Sequence, residues 1–257
     1  MAYSERVVKY LERIGLDGKR EYPLSPDTLD LLNFSHVTAV PYENLDILAG
    51  KDLSLEIDAL YEKIVTNKRG GFCFELNGLF CYLLRELGFV CEEYFARFLR
   101  EEKEIPMRRH RIIAVSLGKN RYICDVGVGA VMPRYSLILE EDTVQEQCGE
   151  SYRFIKDGSL GWILQEIYHG EWRNVYSFYE EKQYDVDFLQ PCFFCEKHKD
   201  SPFNKAEIVA IKTSNGRKTL DGNIYKEFDF DKLVYIEENI TEERKKDILL
   251  NKFGIKI

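Results

Sequence analysis

The chain has 257 residues, 45% of them apolar and 31% charged, the make-up of a folded globular protein with one large core or two to three small ones. A net charge of −8 argues against a general nucleic-acid surface, and no apolar run approaches the roughly 20 residues of a membrane span. Seven cysteines, an odd count at irregular spacing, argue against a disulfide framework and for reducing surroundings.

Met1-Ala2-Tyr3-Ser4-Glu5-Arg6 begins no signal peptide, so a cytoplasmic location is expected. Val7, Val8, Leu11 and Ile14 fall at helical spacing within 4–15, and Gly15 supplies a stop. Ser25-Pro26-Asp27 reads as an N-cap followed by proline in the first turn, with Leu29, Leu32 and Phe34 continuing the helix. His36, near its end, reads as a packed or capping residue rather than a base. Pro41-Tyr42-Glu43-Asn44 reads as a short polar turn, and Leu53 to Ile64 as another amphipathic helix.

Arg69-Gly70-Gly71-Phe72-Cys73 then approaches a further helix, in which Leu76, Leu79, Phe80, Leu83, Leu84 and Leu87 share one face and Gly88 closes the end. Cys73 therefore falls in the first turn of a helix. Free N–H groups and the positive end of the dipole there stabilise a thiolate, the reactive form of cysteine. A small buried cysteine at a helix start is the competing reading. A nucleophile needs a base, and the base needs a group to orient it.

After Gly88 the pattern changes to short strands: Val90–Leu99, His110–Leu117, Arg121–Val126, Tyr135–Leu139, Tyr152–Ile155, Trp162–Tyr168 and Glu171–Phe178. Together they suggest an antiparallel barrel or sandwich. Glu101-Glu102-Lys103-Glu104 reads as a solvated loop. Arg108-Arg109-His110-Arg111 is either surface charge or a device that steers an anionic co-substrate. Folding the hairpin about residues 118 and 119 pairs position 110 with 126 or 127, which brings Asp125 within one or two residues of His110. A carboxylate there fixes the imidazole tautomer and supports the imidazolium. Gly127-Val128-Gly129 follows, either a strand-ending turn or a stretch that exposes N–H groups to a ligand.

The last segment opens with Asp187 to Phe203, including Cys192-Phe193-Phe194-Cys195, a lone Cys-x-x-Cys. A zinc site would need a second pair of ligands and a redox site a thioredoxin-like pattern, so no metal is assigned. Ala206–Thr213 and Lys218–Leu220 read as a hairpin about Ser214-Asn215-Gly216-Arg217, and Ile240-Thr241-Glu242-Glu243 as the start of a last helix through Leu250, ended near Gly254.

Three of these motifs, in this order and spacing, resemble one family. Arg69-Gly70-Gly71-Phe72-Cys73-Phe74-Glu75-Leu76-Asn77 is similar to the cysteine signature of the arylamine N-acetyltransferases, Asp125-Val126-Gly127-Val128-Gly129 to their aspartate motif, and Pro41-Tyr42-Glu43-Asn44-Leu45-Asp46 to their N-terminal motif. The likeness is close over about 5–140 and looser beyond. It implies an α+β fold: a helical bundle over 1–88 with the catalytic cysteine, a central antiparallel β-barrel over 89–188 with His and Asp, and an α/β lid over 189–257. It implies a papain- or transglutaminase-like triad of Cys73, His110 and Asp125. It implies acetyl transfer from acetyl-coenzyme A, a co-substrate rather than a tightly bound cofactor, to an aromatic amine or hydrazine through a cysteine thioester. Phe72, Phe98, Val128, Gly129 and Phe203 would contact the acceptor, and Gly127, Gly129 and Ser201 the coenzyme. Glu43 and Asn44 would brace the site. The family's usual residue at position 128 is phenylalanine, so Val128 is a departure that suggests a roomier pocket.

A cysteine hydrolase or transglutaminase-like enzyme shares the order Cys, His, Asp, and an amide synthase of the same fold is a nearer alternative. A module that only binds would be suggested by a broken triad. No nucleic-acid or membrane partner is expected, and a monomer and a homodimer are both compatible with the sequence.

Overall fold

The structure, a computed structural model, describes residues 3–100 and 102–256, so Met1 and Ala2 of the opening stretch, Glu101 of the charged run and Ile257 lie outside the described residues. Helix α1 (Glu5–Arg13) begins where the Ser4 hydroxyl accepts the Val7 N–H, at 3.3 Å, and Gly15 closes it with φ +80°. Helix α2 (Pro26–Ala39) starts the same way, the Ser25 hydroxyl accepting the Thr28 N–H at 3.2 Å. The expected turn at 41–44 holds a two-residue strand, β1 (Tyr42–Glu43), followed by α3 (Leu45–Leu48). The helix expected from Leu53 begins later, as α4 (Ile57–Tyr61), and widens into a π-helical turn over Glu62–Thr66. Its start is delayed because the Ser54 hydroxyl takes the Glu56 N–H in a local turn. Helix α5 (Cys73–Glu86) ends at Leu87, and Gly88 takes φ +99°, as its place beyond an apolar face requires.

Eight antiparallel strands follow: β2 (Val90–Phe98), β3 (His110–Leu117), β4 (Asn120–Cys124), β5 (Leu137–Ile138), β6 (Gln145–Gln147), β7 (Glu150–Asp157), β8 (Gly161–Tyr168) and β9 (Glu171–Gln183). Their order across the sheet is β5-β4-β3-β2-β9-β8-β7-β6. Two glutamine side chains draw the edges β5 and β6 together. The Gln145 side chain exchanges hydrogen bonds with the Ile138 backbone at 2.8 and 2.9 Å, and the Gln147 carbonyl accepts the Tyr135 N–H at 2.7 Å. The sheet thus becomes a nearly closed barrel, filled by side chains such as Tyr94, Ile112, Phe154, Leu164 and Phe178. The β6 strand is too short and polar to be read from its sequence.

The last part comprises α6 (Leu189–Lys197), β10 (Ile208–Lys212), β11 (Gly216–Asp221), β12 (Ile224–Asp229), β13 (Lys232–Glu238) and α7 (Glu242–Phe253). The hairpin β10–β11 was expected, whereas β12 and β13 were not: their apolar residues are interleaved with charge, and β13 is an exposed edge. The five-stranded sheet runs β1-β10-β11-β12-β13, so Tyr42 and Glu43 pair with Ala210 and Val209 from the far end of the chain. The whole is the α+β arrangement expected: helices first, a barrel-like sheet, then a smaller α/β part. Among the described residues no helix is long and apolar enough to cross a membrane.

His36 is fully buried between α1 and α5, its ring 6.0 Å from that of Tyr10 and 5.1 Å from that of Phe80, and neither ring nitrogen has a hydrogen-bond partner among the described residues. Burial holds its pKa down at about 3, with the nearby Arg13 charge adding to the effect. The unfolded chain therefore binds a proton below about pH 6.5 that the folded chain refuses. Stability is fully present above that pH and falls as pH drops toward about 3, by about 1.4 kcal/mol per unit from this group. Replacing His36 by Leu should flatten the loss between about pH 6.5 and pH 4 in urea unfolding, and an unchanged slope would mean that His36 titrates in the folded protein.

Candidate active site

The first turn of α5 sets the position of Cys73. The Glu75 carboxylate reaches back to accept the Phe72 N–H at 3.1 Å, and Lys63 pairs with the same carboxylate at 2.8 Å. The loop ahead is braced by ions: Arg69 donates twice to Glu43, at 2.9 and 2.7 Å, and pairs with Asp46 at 3.2 Å. Asn44 ties the same region to the C-terminal part, donating to the Phe203 and Ala206 carbonyls at 2.7 and 2.8 Å and accepting the Ile208 N–H at 2.8 Å.

The β3–β4 hairpin positions the other two residues. Leu117 pairs with Asn120 and Ile113 with Cys124, the register that sets 110 opposite 127. The strand ends at Cys124 rather than Val126, and the chain turns so that Asp125 Oδ2 lies 2.6 Å from His110 Nε2. That contact leaves Nδ1 as the nitrogen available for chemistry. The Cys73 sulfur lies against the backbone on either side of His110: its thiol donates to the Arg109 carbonyl at 3.8 Å, and the Arg111 N–H donates to it.

Asn77, quoted in the cysteine motif but given no role by the sequence, completes the cluster. It donates to Asp125 Oδ1 at 2.9 Å and to the Arg111 carbonyl at 2.5 Å, and accepts the Val126 N–H at 2.9 Å. The available signal was its place one helical turn after Cys73, on the same face. Gly127 donates its N–H to Asp125 Oδ1 at 2.9 Å, so that group is spent inside the protein and is not offered to a ligand.

The electrostatics depart from the simple expectation of a helix-stabilised thiolate. Burial pushes the Cys73 thiol up, the nearby Cys195 and Asp125 add to this, and the Arg111 N–H opposes it. The helix start alone therefore does not outweigh burial at this thiol.

Cys73 and His110 open onto a cavity of about 570 Å³, within the range of small-molecule sites. Phe98, Gly127, Val128, Gly129 and Phe203 also line it, whereas Phe72 and Ser201 do not. Phe72 is buried behind Phe203, the rings 5.8 Å apart. The buried Ser201 hydroxyl donates to the Cys195 carbonyl at 2.5 Å and caps the turn at Phe203. The basic run at 108–111 is not a free patch: Arg108 pairs with Glu181, Arg109 with Glu102, and the buried Arg111 with Glu93 and Asp185. Cys192 and Cys195 lie on α6 as free buried thiols, and among the described residues no group of three or more potential ligands is placed to hold a metal ion.

A family model described as N-acetyltransferase matches residues 26–257. An arylamine N-acetyltransferase of Mycolicibacterium smegmatis is 31% identical over 259 aligned positions, covering 96% of this chain and 90% of the relative. The chain belongs to the arylamine N-acetyltransferase family. As a member it is an acyltransferase. The solved structure of the Salmonella typhimurium family member superposes with a TM-score of 0.94 at 27% identity, covering 98% of this chain and 92% of that one. A Mycobacterium marinum family member, solved in complex with CoA, superposes with a TM-score of 0.91 at 30% identity, covering 97% and 92%.

The same close packing yields a test. A Cβ on Gly127 would lie 2.7 Å from the Cys73 Cα and 2.7 Å from Asn77 Nδ2, and the helix backbone cannot yield. Gly127→Ala should cost about 1–3 kcal/mol in chemical denaturation and slow alkylation of Cys73 at least severalfold. A variant with unchanged stability and unchanged alkylation would show that the contact between the 125–129 turn and α5 is loose.

Proposed function

We propose that this chain transfers an acetyl group from acetyl-coenzyme A to the nitrogen of an aromatic amine or hydrazine, by way of a thioester on Cys73. The observation that carries this reading is the His110–Asp125 pair at 2.6 Å, with His110 and Cys73 both lining one cavity. The family supports the substrate class: its members named above are arylamine N-acetyltransferases, and one was solved with CoA.

In this reading His110 takes the Cys73 proton, and the imidazolium formed against Asp125 is the cation that offsets burial of the thiolate. The thiolate attacks the thioester carbonyl, and coenzyme A leaves as its thiol with the proton from His110. The amine then attacks the acetyl-enzyme, His110 removes its proton, and the Cys73 thiolate is released. The N–H groups of Cys73 and Phe74, at the start of α5, are the backbone donors for the oxyanion. Residues 1–88 supply the nucleophile, 89–188 the base and carboxylate, and 189–257 cover the cavity. Phe98, Val128, Gly129 and Phe203 form the wall for the acceptor and the thioester arm. Phe72 supports Phe203 from behind. Ser201 holds the turn before Phe203 rather than offering its hydroxyl to coenzyme A.

Mass spectrometry of the intact protein after mixing with acetyl-coenzyme A separates this reading from a cysteine hydrolase. The protein should gain one acetyl group that persists until an aromatic amine discharges it. Cys73→Ala should gain none, whereas Cys192→Ser and Cys195→Ser should still be acetylated. Rapid hydrolysis of the adduct without an amine, or acetylation of Cys73→Ala, would contradict the proposal.

A further inference from the structure

Tyr42 has a group that nothing so far has used. Its backbone is held on both sides, bridged to Gly71 of the loop before Cys73 and paired with Ala210 of β10. Its ring lies against Gly129, within 3.5 Å of where a Cβ there would stand. It lines the same cavity as Cys73 and His110. The residue is 6% exposed, yet its hydroxyl makes no hydrogen bond with any described residue. The hydroxyls of Tyr10 and Tyr176 are sealed from solvent and unpartnered; that of Tyr42 is not among the sealed atoms. It therefore has access to solvent, and the solvent space that Tyr42 lines is this cavity. Burial pushes the Tyr42 phenol well up, with the Cys73 sulfur among the nearby groups adding to this, so it is a neutral donor at any working pH.

A protonated phenol, rigidly held and without an internal partner, is preorganised for an oxygen that becomes negative in the cavity. We propose that the Tyr42 hydroxyl is a third oxyanion donor, hydrogen-bonding the carbonyl oxygen of the acyl group as it becomes tetrahedral at Cys73. The inference rests on the acyl-transfer reading above and deepens it. When the sulfur–carbon bond forms, the carbonyl π pair moves onto oxygen, where Tyr42 donates its hydrogen bond and keeps its proton. When the pair returns, the bond to the coenzyme A sulfur breaks and that sulfur takes its proton from His110. In the second half-reaction the amine attacks the same carbonyl at the same sulfur. The donor therefore serves both steps, unlike a group that recognises only one substrate.

Tyr42→Phe removes the donor and keeps the ring, since the hydroxyl has no hydrogen-bond partner among the described residues. The rate of acetyl gain on Cys73 and the rate of its discharge by one aromatic amine are measured separately by stopped reaction and intact mass. Both should fall by a similar factor, roughly tenfold to a hundredfold, at or below the lower limit of the loss known for a single oxyanion donor because two backbone donors remain. The thermal midpoint and the rate of Cys73 alkylation should not change, because neither involves a tetrahedral oxygen. Equal rates in the two proteins would overturn the proposal. A loss confined to one half-reaction would do so too, placing the hydroxyl on the donor or the acceptor instead. A lowered thermal midpoint would reveal an internal partner and also overturn it. Failure of the unaltered protein to gain acetyl on Cys73 at all would instead remove the acyl-enzyme reading on which the inference rests.

Discussion

The carboxylate of Asp125 is the constraint on which the site depends. It is almost wholly buried, and a buried charge is tolerated only when its oxygens are fully engaged. Oδ2 meets His110 Nε2, and Oδ1 accepts from both Asn77 and the Gly127 N–H. Each partner comes from a different piece of chain: β3, α5 and the turn after β4. Satisfying one carboxylate therefore docks the helix bearing Cys73 against the hairpin bearing His110. Gly127 must be small for the same reason, because the turn lies directly on the Cys73 backbone.

A second, ionic layer fixes the approach to Cys73. Glu43, Asp46, Lys63, Arg69 and Glu75 alternate in sign around the 69–72 loop, so that each carboxylate has a cation within 3.2 Å. Burial alone would raise the Glu75 carboxyl, and Lys63 opposes that. The layer also reaches forward. Glu43 belongs to β1 in the C-terminal sheet, and Asn44 bonds the backbone at Phe203, Ala206 and Ile208. The wall of the cavity formed by Tyr42 and Phe203 is thus built on the same brace that holds Cys73.

The parts legible in the sequence were those set by neighbouring residues. Ser4, Ser25 and Thr241 cap their helices through their own side chains, and Gly88 and Gly254 take the left-handed conformation that ends them. The two-residue turn at 118 and 119 fixes a register, and from it the meeting of His110 and Asp125 follows. What was not legible depended on distant partners. A strand of two residues at Tyr42 exists only because β10 lies beside it. Asn77 reads as one more polar residue on a helix until Asp125 is set against it. Ser201 looked available to a ligand, but the Cys195 carbonyl already holds it. The thiol of Cys73 looked ionised by its helix until its burial was seen, and that burial is set by elements distant in sequence.

The central claim is that Cys73, His110 and Asp125 act as one unit. It is tested most directly by kcat/KM for an aromatic amine in His110→Ala, Asp125→Asn and the double variant, since asparagine keeps an oxygen for the Asn77 and Gly127 bonds and removes only the charge facing His110. Groups that act through one another are strongly non-additive. The account predicts that Asp125→Asn in a protein already lacking His110 costs less than threefold, although each single change is severe. Losses that multiply, so that Asp125→Asn has its full effect without His110, would separate the charge of the carboxylate from the work of the imidazole and contradict the account.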